Sequence, residues 1–153
     1  EISQLKNLNL KQFVEAVLND WYPELFHELS MMDDCIHSLK RDYELDIIDT
    51  GIKKVYQEFD ELYRKEKMVI FPYLMKLEEE HKKPENAAPF QGLKHHHNAI
   101  IKSLLTTRDA LENLFVTEGN EACVERLLDT IDHFKTELEE LQHIKEEEHY
   151  MHC

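Results

Sequence analysis

Glycine and proline are nearly missing from this chain. Three glycines and four prolines in 153 residues leave too few turn formers for a β-rich architecture, and they favour long helices with short connections. A basic surface is missing too. Eighteen Lys and Arg against 32 Asp and Glu give a net charge of −14, which excludes a phosphate-neutralising patch and with it nucleic acid as a direct partner. An acidic surface suits a soluble protein or one that attracts cations. Cysteine is sparse: Cys35, Cys123 and Cys153 form an odd, scattered set with no Cys-x-x-Cys, which reads as reduced thiols in a cytoplasmic protein. No apolar run approaches the ~20 residues that a membrane span needs, and no leader pattern is legible, so no membrane partner is expected. Nucleophile elbows, P-loops and Gly-rich turns are also lacking, so no catalytic residue is assigned. The chain starts at Glu1 without Met and ends inside a helical pattern, and so reads as trimmed from longer native ends.

What is present is helical periodicity. Residues 10–18 form a short amphipathic segment. Asp20 reads as an N-cap with Pro23 in the first turn after it, opening a helix to about Lys40 with the stripe Tyr22, Leu25, Leu29, Met32, Ile36, Leu39. A polar connection at 41–47 leads to a second helix over 48–82, with a bend expected at Pro72. The two-proline stretch KKPENAAPF is the clearest loop. A third helix over 90–116 carries Leu93, His97, Ile100, Leu104, Leu111 and Leu114, and Glu118-Gly119-Asn120 ends it. The fourth helix runs from 120 onward with Val124, Leu127, Ile131, Phe134, Leu138 and Leu141. The expectation is one all-α domain spanning 1–153, an antiparallel up-down-up-down four-helix bundle with a short N-terminal helix. Phe59, Leu62, Ile100, Leu104, Phe134 and Leu138 should form its core.

The second helix carries an anomaly. Val55, Phe59, Leu62, Glu66, Val69, Ile70, Tyr73 and Leu77 recur in steps that share one face, and only Glu66 among them is charged. A buried carboxylate needs a cation, a hydrogen-bond set or a metal; the plain reading is a core helix whose Glu snorkels towards solvent or pairs with a lysine. Ten histidines are many for such a chain, and inward His and carboxylate groups at one level of a bundle can hold iron, manganese or zinc. His97 lies on the third stripe. His143 and Glu147 are four residues apart, on one helix face. Continuing the regular fourth stripe instead points Lys145, Glu148 and His152 inward and leaves His143 off it. Either a π-bulge between Leu138 and His143 restores that histidine, or Lys145 faces Glu66 and replaces a metal's charge.

The segment KEKMVIFPYLMKL resembles the hemerythrin-like (HHE cation-binding) domains, whose pattern there is roughly H-x-x-x-E-E-x-x-L-F-P. Anchored on Phe71-Pro72, Glu66 takes the place of the bridging carboxylate and Leu62 stands where the family has histidine. HIKEEEHYMHC resembles the second such motif, with His143 and Glu147 as its ligands. LKHHHNAI resembles the third-helix segment, with His97 as ligand and His95 and His96 outside. In the first helix Trp21-Tyr22 stand where the family has histidine, and His37 in CIHSL matches a later one. The resemblance implies a non-heme iron site of one or two ions on Glu66, His97, His143, Glu147 and His37. Within that family the chain resembles in particular the di-iron proteins of iron–sulfur cluster repair. It further implies an oxygen- or nitric-oxide-stress role, with dioxygen, nitric oxide or iron itself as the small partner. The other class is a metal-free bundle acting as a sensor or protein-interaction module. A ferritin-like oxidase is disfavoured, because facing Glu-x-x-His pairs are absent. The oligomeric state is left open, a homodimer included.

Overall fold

The computed structural model describes residues 2–39, 45–114 and 116–150. Among them there is no strand. A 3-10 helix, Ile2–Asn7, precedes four long helical runs: residues 10–39, 46–79, 88–112 and 121–149. The all-α expectation holds. Lys40, most of the 41–47 connection, and His152 with Cys153 lie outside the described residues.

The first helix begins earlier than Pro23 suggests. Asn9 caps it, accepting from the Gln12 backbone N–H at 2.9 Å, while Gln12 Oε1 accepts from the Asn9 N–H at 3.3 Å. This capping box satisfies two donors that helix starts leave unpaired. Asp20 is therefore no N-cap. It lies inside a π turn, Val17–Trp21, through which Leu10–Ala16 continues into Tyr22–Leu39. The second helix joins Asp46–Lys65 to Phe71–Glu79 through a π turn, Glu66–Ile70. Pro72, which has no N–H to donate, falls just past that widened turn, where a missing helical bond costs least. The third helix is Ala88–Glu112, and the fourth joins Glu121–Ile144 to a π turn, Lys145–His149.

The second and third helices share the broadest packing; the first packs on the second and fourth, and the third on the fourth. Phe59, Leu62, Ile100, Leu104, Phe134 and Leu138 are all buried, as their periodicity predicts. Each π turn inserts one extra residue and moves the buried stripe forward by one position. After Glu66 the inward residues are Ile70, Phe71 and Leu74, while Val69 is exposed. After Lys145, Tyr150 turns inward and Glu148 stays outside. After Val17 the next core residue is Tyr22, five positions on.

Candidate functional site

The three π turns frame one polar cluster inside the apolar core. Glu66 opens the second turn, Lys145 opens the third, Tyr22 comes just after the first and Tyr150 just after the third. All four side chains are buried. Lys145 Nζ donates to Glu66 Oε1 at 2.7 Å. The Tyr22 hydroxyl donates to the same oxygen, and the Tyr150 hydroxyl donates to Glu66 Oε2. Lys145 Nζ also lies 3.4 Å from the Tyr22 oxygen and 5.2 Å from the centre of its ring, close enough for a cation–π contribution. Burial, and after it the Glu66 charge, pushes both phenols well above their ordinary range. They therefore remain hydrogen-bond donors. The carboxylate has a cation on one oxygen and a hydroxyl on each, the compensation that a buried charge requires.

The expected iron ligands are not assembled around Glu66. The fourth helix keeps its regular phase through Leu138 and Leu141 to Lys145, and its π turn begins only there. His143 and Glu147 therefore stay outside and pair with each other at 3.1 Å, with side chains 62% and 55% exposed. His37 is also at the surface, its Nδ1 2.8 Å from the Asp33 carbonyl. His97 alone stays near the centre. It is half-buried, its Nδ1 has no partner, and burial, then the Lys145 charge, lower its pKa. His96, expected outside, is buried instead. Its Nδ1 meets Glu58 Oε2 at 2.5 Å and its Nε2 meets Lys65 Nζ at 2.7 Å. With a lysine donating to Nε2, the ring proton sits on Nδ1 and points at Glu58. An iron core on the family pattern does not fit these residues, because protein donors already occupy Glu66 and its expected co-ligands other than His97 lie at the surface.

Two Glu/His groups away from that cluster could nevertheless hold a metal ion. One ligand atom each from Glu28, His133 and Glu137 lie within 4.8 Å of one another, and so do those of Glu58, Glu61 and His96. Glu28 lies on the first helix, and His133 with Glu137 on the fourth. The His133 ring bridges the two acids, with Nδ1 2.6 Å from Glu28 Oε1 and Nε2 3.0 Å from Glu137 Oε1. Burial and the Glu28 charge push the Glu137 carboxyl up to about 7, and the bond to Glu28 raises His133. A separate groove of about 720 Å³ runs between the second and third helices, lined by Ile47, Thr50, Lys54, His95, Ala99 and Lys102 among others.

Sequence reasoning missed Tyr150, Glu28, His133 and Glu137 as site residues. His133 and Glu137 have the same four-residue spacing as His143 and Glu147, and that was the signal available. Comparison with protein-family models, curated proteins and solved structures found no match.

Proposed function

We propose that this chain is a hemerythrin-like bundle, its four helices in antiparallel up-down-up-down order, that has exchanged a central metal for an internal ion pair. In this reading it works as a sensor or protein-interaction module, free of metal in its core, in a reducing compartment. The observation that carries the proposal is the Lys145–Glu66 contact of 2.7 Å in the bundle core. The lysine supplies the positive charge that a metal would supply to the same carboxylate, and two tyrosines complete its hydrogen bonding. Free thiols at Cys35 and Cys123 suit that compartment. The groove beside Ile47 and His95 gives such a module a concave face of ordinary ligand-site size. Iron binding in the core, with a role in cluster repair or stress response, would require a metal to displace Lys145, Tyr22 and Tyr150 together.

The test is anaerobic reconstitution with ferrous iron, then desalting, metal analysis and an absorption spectrum. The expected result is no iron whose retention depends on Glu66 and no di-iron absorption. Two retained irons per chain, lost on Glu66→Gln, would overturn the reading.

A further inference from the structure

We infer that Glu28, His133 and Glu137 form a site for one first-row divalent cation, bridging the first and fourth helices on the outside of the bundle. It is separate from the Glu66 cluster and does not depend on how that cluster is read.

The Glu28 side chain is 8% exposed, and its Oε2 is buried with no hydrogen-bond donor on it. Glu137 Oε2 is in the same state. Both carboxylates thus keep a desolvated oxygen with no donor on it, and they lie close enough to each other that burial and the Glu28 charge together raise the Glu137 carboxyl, an arrangement that costs free energy unless a shared proton or a cation joins it. Among the described residues no Lys or Arg bonds to any of the three side chains; the two acids meet the imidazole and each other. Here the two Glu/His groups part company. At His96 the Lys65 ammonium already occupies Nε2, so a cation is in place and an added metal would have to expel it. At His133 both ring nitrogens face carboxylates and no ammonium or guanidinium is bonded to the ring, so a metal would displace only a proton.

The donor set specifies the ion class. One imidazole nitrogen with two carboxylate oxygens is harder than a thiolate site and softer than an all-oxygen cage, which suits Zn²⁺, Co²⁺, Mn²⁺ or Fe²⁺ over Mg²⁺ or Ca²⁺. The His133 side chain is 59% exposed, so its ring can turn one nitrogen towards the buried oxygens. On its open side the cluster borders a groove of about 610 Å³, lined also by Glu24, His27, Glu125, Asp129 and Arg126. Three of these are acidic, so the field at the groove favours cations despite Arg126. Water from the groove would complete the coordination, which makes the ion exchangeable.

The experiment uses chelator-treated full chain titrated with Co²⁺, read by visible absorption, and with Zn²⁺, read by calorimetry and melting temperature. One equivalent per chain is expected, with no thiolate-to-cobalt band and a metal-dependent rise in melting temperature. His133→Ala changes an exposed ring and should leave the fold intact while weakening binding by more than about tenfold. Glu137→Gln should do the same, Glu58→Gln and His143→Ala should change nothing, and Glu66→Gln should leave the bound equivalent in place. The inference is overturned if wild type takes up no metal. It is equally overturned if His133→Ala binds as wild type does, or if binding is lost with Cys35→Ser or His143→Ala instead.

Discussion

Lys145 Nζ and Glu66 Oε1 lie 2.7 Å apart, between side chains that are 1% and 0% exposed. Charges so fully withdrawn from water tolerate each other's company and little else. Lys145→Ala should therefore cost roughly 3–5 kcal/mol, most of it the penalty of stranding the carboxylate. The double variant Lys145→Met/Glu66→Leu removes both charges and should regain most of that loss. Urea unfolding of the single and double variants measures the difference. A Lys145→Ala protein as stable as wild type would mean that the pair is not formed.

The two phenols complete the compensation of Glu66. Removing one hydroxyl leaves a buried carboxylate with one donor fewer, so Tyr150→Phe should cost about 1–3 kcal/mol, the penalty of an unmade buried bond. Tyr22→Phe should cost less, because Lys145 still donates to the same oxygen. Spectrophotometric titration adds an independent check. Of six tyrosines, Tyr22 and Tyr150 ionise well above the ordinary range. Their absorbance change should come only with alkaline unfolding.

Helix phase decided how much of this was legible in the sequence. Phe59, Leu62, Ile100, Leu104, Phe134 and Leu138 keep unbroken steps of three and four, and all are buried. Lys145 obeys the same rule, since it continues the stripe of Leu138 and Leu141. Val69 and Tyr150 lie beyond the start of π turns, where each extra residue rotates the remainder of the helix by about 100°. Nothing in the local letters marks those turns, so the regular stripe places Val69 inside and passes over Tyr150. The Glu28–His133 contact spans 105 positions. The His133–Glu137 spacing is visible, but only the packing of the first helix on the fourth gives it a third ligand.

Acid should destabilise the protein through His97 and His149. Burial lowers both pKa values from 6.5. His97 faces Lys145, Glu139, Glu146 and Glu66; His149 stacks on Phe13 at 4.1 Å and faces Glu148 and Glu78. With the folded pKa below the unfolded one, the stabilising contribution is complete above about pH 6.5 and fades as pH falls through the folded values. His133 and Glu137 are raised and act in the opposite sense, so the comparison must be made by difference. The melting-temperature gap between wild type and His149→Gln should narrow from about pH 7.5 to about pH 5. A gap that widens on acidification would contradict the buried, neutral ring.

Cys35 should be a sluggish thiol. Burial, then the neighbouring Cys123, pushes its pKa up to about 11, and the thiolate is the reactive form. Alkylation by iodoacetamide at neutral pH should leave Cys35 largely unmodified in the folded chain and modify it readily in denaturant. Mass mapping of the labelled peptides reads the result. Rapid labelling of Cys35 in the folded protein at neutral pH would show that its environment is more open than this packing allows.

Gly51 sits inside the second helix, where alanine ordinarily gains about 1 kcal/mol in propensity. Here the third helix is too close for that gain. A Cβ at Gly51 would overlap Thr107 Oγ1 and stand 3.4 Å from Thr107 Cβ and 3.8 Å from the Ser103 carbonyl. Thr107 is fully buried and β-branched, so its hydroxyl yields only by changing rotamer within a packed core or by a shift of the helix. Overpacking of this kind costs about 1–3 kcal/mol, more than the propensity returns. Gly51→Ala should therefore destabilise the wild-type chain. In a Thr107→Ala background the obstructing hydroxyl is gone, and the same Gly51→Ala change should turn neutral or stabilising. Urea unfolding of the four chains in this cycle measures the coupling directly. A stabilising Gly51→Ala in the wild-type background would mean that the second and third helices are further apart than the Gly51–Thr107 contact requires.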